Sequence, residues 1–454
     1  MKKAKVVYNK GFYIGNEIEY IEELPLYLVT KGIVRLAVDS GLAYYKKGEK
    51  EDTLNVGTIN VTKEFRKKAA QITNMNELEG LNEFEKINIY DSIGMWIHEE
   101  EFFYENEGYI SLFFYPITII YKDFSVKVYP VAKFYHDGRI IISHNIYFNN
   151  KINFKTFGNI VSKIEIEPIT TIELPTAYLY NIDYDKSKTY TRNENDENIE
   201  FVCLENFKLI NNFIDLSKFI LLLFGAKNTS NIFYSRILYL IDDTKLSENS
   251  INKLLNCCMT ETKKCDIGKD YRLFKDYSHY ENDSSTVIVG KDCLQHYPSI
   301  QSREEYIILR IMRDSIIFKN AAENKYTYNQ LKRLRLDYML EENHYACSPY
   351  SEINDSIMHI YNSMHKDIRV KNLNILLEEK IKEKEISFQD NITLIALLFA
   401  CQPLTEYILI PLYSLYCDFI GFTYNEDFIK VCMICIAILI VLIIYLLIRN
   451  KSIK

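Results

Sequence analysis

Glycine and proline are scarce in this chain, 15 and 9 residues of 454. No glycine-rich phosphate loop occurs, no His-Glu-x-x-His and no Gly-x-Ser-x-Gly. Those absences remove the signatures of nucleotide hydrolysis, zinc-dependent proteolysis and the serine-hydrolase elbow, so the chain is read as a non-enzyme with no catalytic residues. Cysteine is present (10 residues) but scattered, which fits a reduced compartment and not a disulfide framework. Cys257, Cys258 and Cys265 cluster without a matching Cys or His pair around them, and no metal ligand set is assigned. Basic charge is not in excess: the formal net charge is −7, which offers no overall attraction for nucleic acid. The basic start, Met1-Lys2-Lys3-Ala4-Lys5, lacks a following apolar core of signal-peptide length. The second residue is Lys2, not the glycine that myristoylation needs.

What the chain has is tyrosine (36 residues) and two long apolar runs near its end. Val431 to Ile448 (VCMICIAILIVLIIYLLI) is uncharged, and at ~1.5 Å per residue it covers roughly 27 Å, close to a hydrocarbon core of ~30 Å. The basic stretch Arg449–Lys454 follows it, which the positive-inside rule puts in the cytoplasm. Ile392 to Cys417 (ITLIALLFACQPLTEYILIPLYSLYC) is interrupted by Gln402, Pro403, Glu406 and Pro411. The connector between the runs carries Asp418, Glu426 and Asp427. An acidic connector outside and a basic tail inside predict two spans with both termini cytoplasmic. Asn391, Leu398, Gln402, Thr405 and Leu409 recur at spacings of three, four and seven, one stripe of a continuous helix, with Glu406 beside it. The stripe is read as a pore lining, with polar glue between helices as the alternative.

Upstream, residues 1 to about 180 read as mixed α/β. Strands are expected over Leu26–Val29, Ser111–Tyr121, Ser125–Tyr135 and Arg139–Phe148, with His136-Asp137-Gly138 as the hairpin turn between the last two. Asn74–Phe84 reads as a short helix and Asn181–Glu200 as a linker or exposed loop. From Asn206 onward the pattern is helical. Phe219–Phe224 reads as a buried helix, Met259–Ser302 as irregular, and Glu304–Phe318 and Asn329–Glu341 as two helices. One or two long helices are expected from Tyr350 into the first apolar run. His98-Glu99 sits in an acidic run and reads as a solvated face. His359 and His365 do not share a helix face, and Lys332–Arg335 reads as an exposed basic helix face.

The C-terminal design resembles the CorA family of two-span metal-ion transporters. Phe399-Ala400-Cys401-Gln402-Pro403-Leu404-Thr405 is similar to the apolar–Pro–Leu–Thr turn of their first span, and a long helix, a short loop and a basic tail complete the likeness. The family's Gly-Met-Asn is absent, with Leu412-Tyr413-Ser414 in its place. The resemblance extends to divergent members encoded with type III CRISPR systems in antiviral defence, which are thought to respond to the nucleotide second messenger S-adenosylmethionine–AMP.

These readings combine into one expectation. The fold class is an α+β cytoplasmic domain with a long helical stalk and a C-terminal two-helix transmembrane hairpin. The domains are a mixed α/β domain over 1–200, a helical region with the stalk over 201–388, and the hairpin and basic tail over 389–454. The expected function is an oligomeric, CorA-like membrane channel in the cell inner or plasma membrane, multi-pass and gated by a cytoplasmic ligand. Its expected partners are the lipid bilayer, other copies of itself (a homopentamer, as the resemblance implies) and a nucleotide-derived small molecule, with no direct nucleic acid. S-adenosylmethionine–AMP or a divalent cation is the ligand implied, none is required as a cofactor, and no ligand-contact residue is assigned. The alternatives are a divalent metal-ion transporter and a membrane-anchored structural or virion protein without transport activity.

Overall fold

The computed structural model describes residues 3–439 apart from 14–23, 40–41, 47–55, 61–108, 257–269, 422–426, all of 344–365 except 355 and 359, and shorter gaps of one to four residues. The readings of Asn74–Phe84, His98-Glu99 and the Cys257–Cys265 cluster fall outside the described residues. The chain divides into two compact units. One comprises Met1–Ile317 with His344–Arg369, and the other Phe318–Asn343 with Val370–Lys454.

The first unit is built on a sheet of fourteen strands among the described residues. Its first part is β1 (Lys3–Tyr13), a short helix α1 (Leu24–Thr30), β2 (Val34–Asp39), β3 (Leu42–Lys46) and β4 (Val56–Asn60). Next come β5 (Tyr109–Phe114), β6 (Ile117–Ile120), β7 (Ser125–Tyr135) and β8 (Arg139–Phe148). Helix α2 (Phe154–Ile166), β9 (Thr171–Pro175), β10 (Thr189–Glu194), β11 (Glu197–Glu205), α3 (Phe213–Leu222) and β12 (Ser230–Ile241) follow. The unit closes with α4 (Glu248–Leu255), β13 (Tyr277–Glu281), β14 (Ser285–Gly290) and the start of α5 (Tyr297–Ala322). The main path runs β10-β11-β9-β6-β7-β8-β1-β12-β14-β13, with β2 to β5 branching from β7. Pairing is antiparallel except between β12 and β14.

Strand β1 shows why the sheet needs two covers. Successive side chains point to opposite faces. Val6, Tyr8 and Phe12 join the main core, where Phe157 and Val161 of α2, Phe213 and Leu216 of α3 and Leu254 of α4 pack. Val7 belongs to a second cluster with Ile237, Tyr239, Ile288 and Ile300 of α5. Two glycines permit close approach. A Cβ on Gly11 would lie 2.7 Å from Met312 Sδ, and one on Gly290 would lie 2.5 Å from the Asp276 carbonyl oxygen.

Several expected elements stand where alternation placed them: β7 and β8 span Ser125–Tyr135 and Arg139–Phe148. Gly138 between them has φ of 84° and its N–H donates to the Tyr135 carbonyl at 3.0 Å. Other readings are corrected. Leu26–Val29 lies in helix α1. The polar stretch read as a linker carries the hairpin β10–β11 at a sheet edge. The region after Asn206 is not uniformly helical, because β12, β13 and β14 interrupt it, the last two inside the stretch read as irregular.

The second unit is helical. Its parts are the end of α5, α6 (Tyr328–Asn343), α7 (Lys366–Leu404, whose first residues belong to the sheet unit), a π-helical turn (Thr405–Leu409) and α8 (Ile410–Ile420). Helix α5 stops at Asn324, which takes a left-handed φ of 57° while the Lys325 N–H returns to the Asn320 carbonyl. Thr327 then starts α6 in the manner of a capping box: its N–H donates to Gln330 Oε1 (2.8 Å) and its Oγ1 accepts from the Gln330 N–H. Leu331 packs inward, as do Leu373, Leu377 and Ile381 of α7, the last three spaced by four on one face.

The transmembrane hairpin expected at the C-terminus is overturned. Among the described residues no helix is long and apolar enough to cross a membrane. The reason lies in how the first apolar run is divided. Helix α7 spends its first half on charge (EEKIKEKE) and ends at Leu404 just after an internal Pro403. The π turn follows, and α8 is 11 residues long with Gly421 as a left-handed cap, so it rises only about 16 Å. Pro403 and Pro411 each remove an amide donor from the ladder, and the π turn between them interrupts the α-helical hydrogen bonding of the run. The second run is helical where described up to residue 439, and residues 440–454 lie outside the described residues. With the hairpin go the α+β-plus-hairpin fold class, the multi-pass inner- or plasma-membrane placement with both termini cytoplasmic, and the description as a transmembrane channel. A large mixed sheet with helices replaces that fold class.

Candidate functional site

The residues of the expected stripe run from the middle of α7 through the π turn. Asn391 is exposed in α7. Leu398 and Gln402 belong to the α7 backbone, their side chains outside the described residues. Thr405 is buried in the π turn, Glu406 beside it is exposed, and Leu409 is half-buried. A stripe drawn at 3.6 residues per turn loses register across a π turn.

The end of α7 and α8 present an apolar ridge. Phe399 is 79% exposed, Tyr407 78%, Leu415 72% and Phe419 90%. Ile392, Ile395 and Phe399 are spaced three and four apart, as are Leu412, Leu415 and Phe419, so each helix gathers its apolar groups on one face. A surface of this kind marks an interaction site.

Directly before the ridge, α7 and the start of α6 enclose a groove of about 990 Å³ lined by Thr327, Tyr328, Asn329, Lys384, Glu385, Ser387, Phe388, Gln389 and Asn391. Its wall is fixed by the Tyr328 hydroxyl, which donates to Glu385 Oε1 at 2.6 Å. Lys332 stands 3.7 Å from the same carboxylate oxygen and 4.4 Å above the Tyr328 ring. Glu385 is therefore bonded and charge-balanced. Lys384 has no ion-pair partner among the described residues, and Phe388 is 66% exposed. Of these groove residues, only Asn391 belongs to the stripe expected from the sequence. The Thr327-x-x-Gln330 capping box was the available signal for one wall, while the other wall lies almost sixty residues further on.

The sheet unit holds a different kind of polar chemistry. On the α5 face, Asn9 Oδ1 accepts from Ser143 Oγ (2.7 Å) and from Gln301 Nε2 (2.9 Å). Gln301 also donates to Glu305 Oε1 at 3.0 Å, and Glu305 pairs with Lys133. All five residues are buried. On the opposite face His144 Nε2 lies 2.7 Å from Ser217 Oγ, both buried. A serine–histidine pair suggests a nucleophile and its base, but burial, with Lys10 adding to it, lowers the His144 pKa to about 3. That makes it a poor base near neutrality. Its Nδ1 has no hydrogen-bond partner, so no carboxylate orients the ring. The pair serves packing. Lys10, on the same face, is lowered to about 8 by burial and then by the Lys218 charge.

Among the described residues, no group of three or more His, Cys, Asp or Glu could hold a metal ion. No protein-family model, characterised protein or solved structure matches this chain.

Proposed function

We propose that this chain is a self-associating receptor for a small ligand, in which the helical unit joins copies and the ligand changes how they associate. The observation that carries the reading is the apolar ridge of α7 and α8. Burying apolar surface contributes about 25 cal/mol per Å², and no described part of the chain covers these side chains. A second copy offers the same surface, and its ridge residues include only one charged group, Glu406, between Ile392 and Cys417. Groups that would carry out a reaction are not assembled at the groove, and binding is what its open aromatic and amide lining supports.

S-adenosylmethionine–AMP, the ligand that the CorA-like resemblance implies, is the first compound to test, and five is the copy number it implies. The mass of the full chain, measured by native mass spectrometry with and without S-adenosylmethionine–AMP, tests the reading. Multiples of 53.6 kDa whose distribution moves with ligand are expected. A monomer at tens of micromolar, with or without ligand, or a monomer that instead co-sediments with phospholipid vesicles, would overturn it.

A further inference from the structure

We infer that the groove between the start of α6 and the middle of α7 binds a small aromatic anion: a planar ring with hydrogen-bonding edges that carries a single carboxylate or phosphate group. The inference names the ligand class for the receptor proposed above and rests on that reading. Three features of the lining set the class. Phe388 leaves most of its ring open, and Tyr328 stands in the same groove, held by its bond to Glu385. The exposed Phe388 ring favours stacking on a planar ring, while one face of Tyr328 is covered by Lys332. Asn329, Gln389 and Asn391 each bring both a donor and an acceptor to the lining, which suits a ring whose edge carries both. The charge balance then selects sign. Lys332 already answers the Glu385 carboxylate, so Lys384 is the cation left to meet a ligand, and it matches one anionic group. At about 990 Å³ the groove is large enough for a ring, a linker and an anion together.

The position adds a consequence for assembly. Asn391 ends the groove and Ile392 begins the ridge, on consecutive residues of one helix. A ligand seated there lies beside the surface through which copies are proposed to meet.

Isothermal titration of the full chain tests the site by itself, because binding heat is read whether or not copies associate. The probes are adenosine 5′-monophosphate, indole-3-acetate, neutral adenosine and inorganic phosphate. At least one of the two aromatic anions should bind at submillimolar concentration, the nucleotide more tightly because its ring edge can use the amides. Adenosine should bind at least about fivefold more weakly than the nucleotide, and inorganic phosphate should give no signal. Phe388→Ala should weaken the aromatic anions about tenfold. Lys384→Gln should bring the nucleotide and adenosine to equal affinity. Phe388 is exposed and Lys384 half-buried, and circular dichroism checks that the variants fold. No binding of either aromatic anion up to 5 mM overturns the assignment, as does binding that both substitutions leave unchanged. If the titration succeeds while the chain remains monomeric, the groove stands and the receptor-assembly reading falls.

Discussion

The two units of this chain solve the problem of polar groups in opposite ways. The sheet unit buries them: Asn9, Lys133, Ser143, Gln301 and Glu305 are all within the core yet linked in one network. The helical unit keeps its polar links at the surface. Arg335–Glu378 (3.6 Å) and Lys332–Glu385 (3.7 Å) join α6 to α7 through side chains 38% to 55% exposed. It is the apolar groups of α7 and α8 that face outward instead. Burial strengthens electrostatic interactions and raises the cost of losing a partner, so a lost partner should cost more in the first unit than in the second.

The largest effect is expected where a buried charge loses its partner. Glu305→Ala leaves the Lys133 ammonium in the core and should cost about 3–5 kcal/mol, read as a lowered urea midpoint. Replacing both partners, Lys133→Met with Glu305→Leu, should recover most of that loss. If the double variant is as unstable as the single one, the network supplies more than paired charge.

Gly290→Ala comes next. A methyl group there would meet backbone, the Asp276 carbonyl oxygen and the Tyr277 Cα, which cannot swing aside as the Met312 side chain can for Gly11. Overpacking of this kind costs about 1–3 kcal/mol, and a thermal midpoint equal to that of the parent would show that β13 and β14 accommodate the change.

Acid sensitivity separates the units further. His144 titrates near 3 in the folded chain against about 6.5 when unfolded. Between those values the unfolded state binds more protons, so stability is full above about pH 6.5 and falls as pH drops toward 3. His144→Gln should flatten the pH dependence of the urea midpoint between pH 6.5 and 4. An unchanged slope would assign acid sensitivity to other groups.

The smallest effect is expected at the helical surface. Arg335→Ala, which removes an exposed ion pair, should change stability by about 0–1 kcal/mol. A loss as large as that of Glu305→Ala would erase the contrast between the units.

The difference also explains what could be read from sequence. Strands β7 and β8 were legible because Asp137-Gly138 marks their turn and Val126, Val128, Ala132 and Phe134 alternate with half-buried or polar positions. Strand β12 was not, because Ile237 and Tyr239 pack on one face and Leu238 and Leu240 on the other. A strand buried on both sides has no period-two signal. The β10–β11 hairpin hid for the opposite reason: at a sheet edge, Thr189 to Glu194 is polar almost throughout. In the helical unit, the composition of Ile392–Cys417 was plain, but the consequence of Pro403 and Pro411 was not. Their wide turn interrupts the α-helical ladder of the apolar run. The groove was invisible to local reading because Tyr328 and Phe388 come to line one groove only after α6 and α7 pack. Asn391 was noticed for its place in a stripe and gains its setting from the fold.

The central claim is that the exposed apolar groups of α7 and α8 join copies of the chain. Sedimentation velocity on three proteins tests it most directly: the parent, Phe399→Glu with Leu415→Glu, and Tyr180→Glu. Tyr180 is 87% exposed, as open as the ridge side chains, but belongs to the sheet unit. The account predicts an oligomer for the parent and for Tyr180→Glu, and a 53.6 kDa monomer for the ridge variant. Equal sedimentation of all three proteins would contradict it.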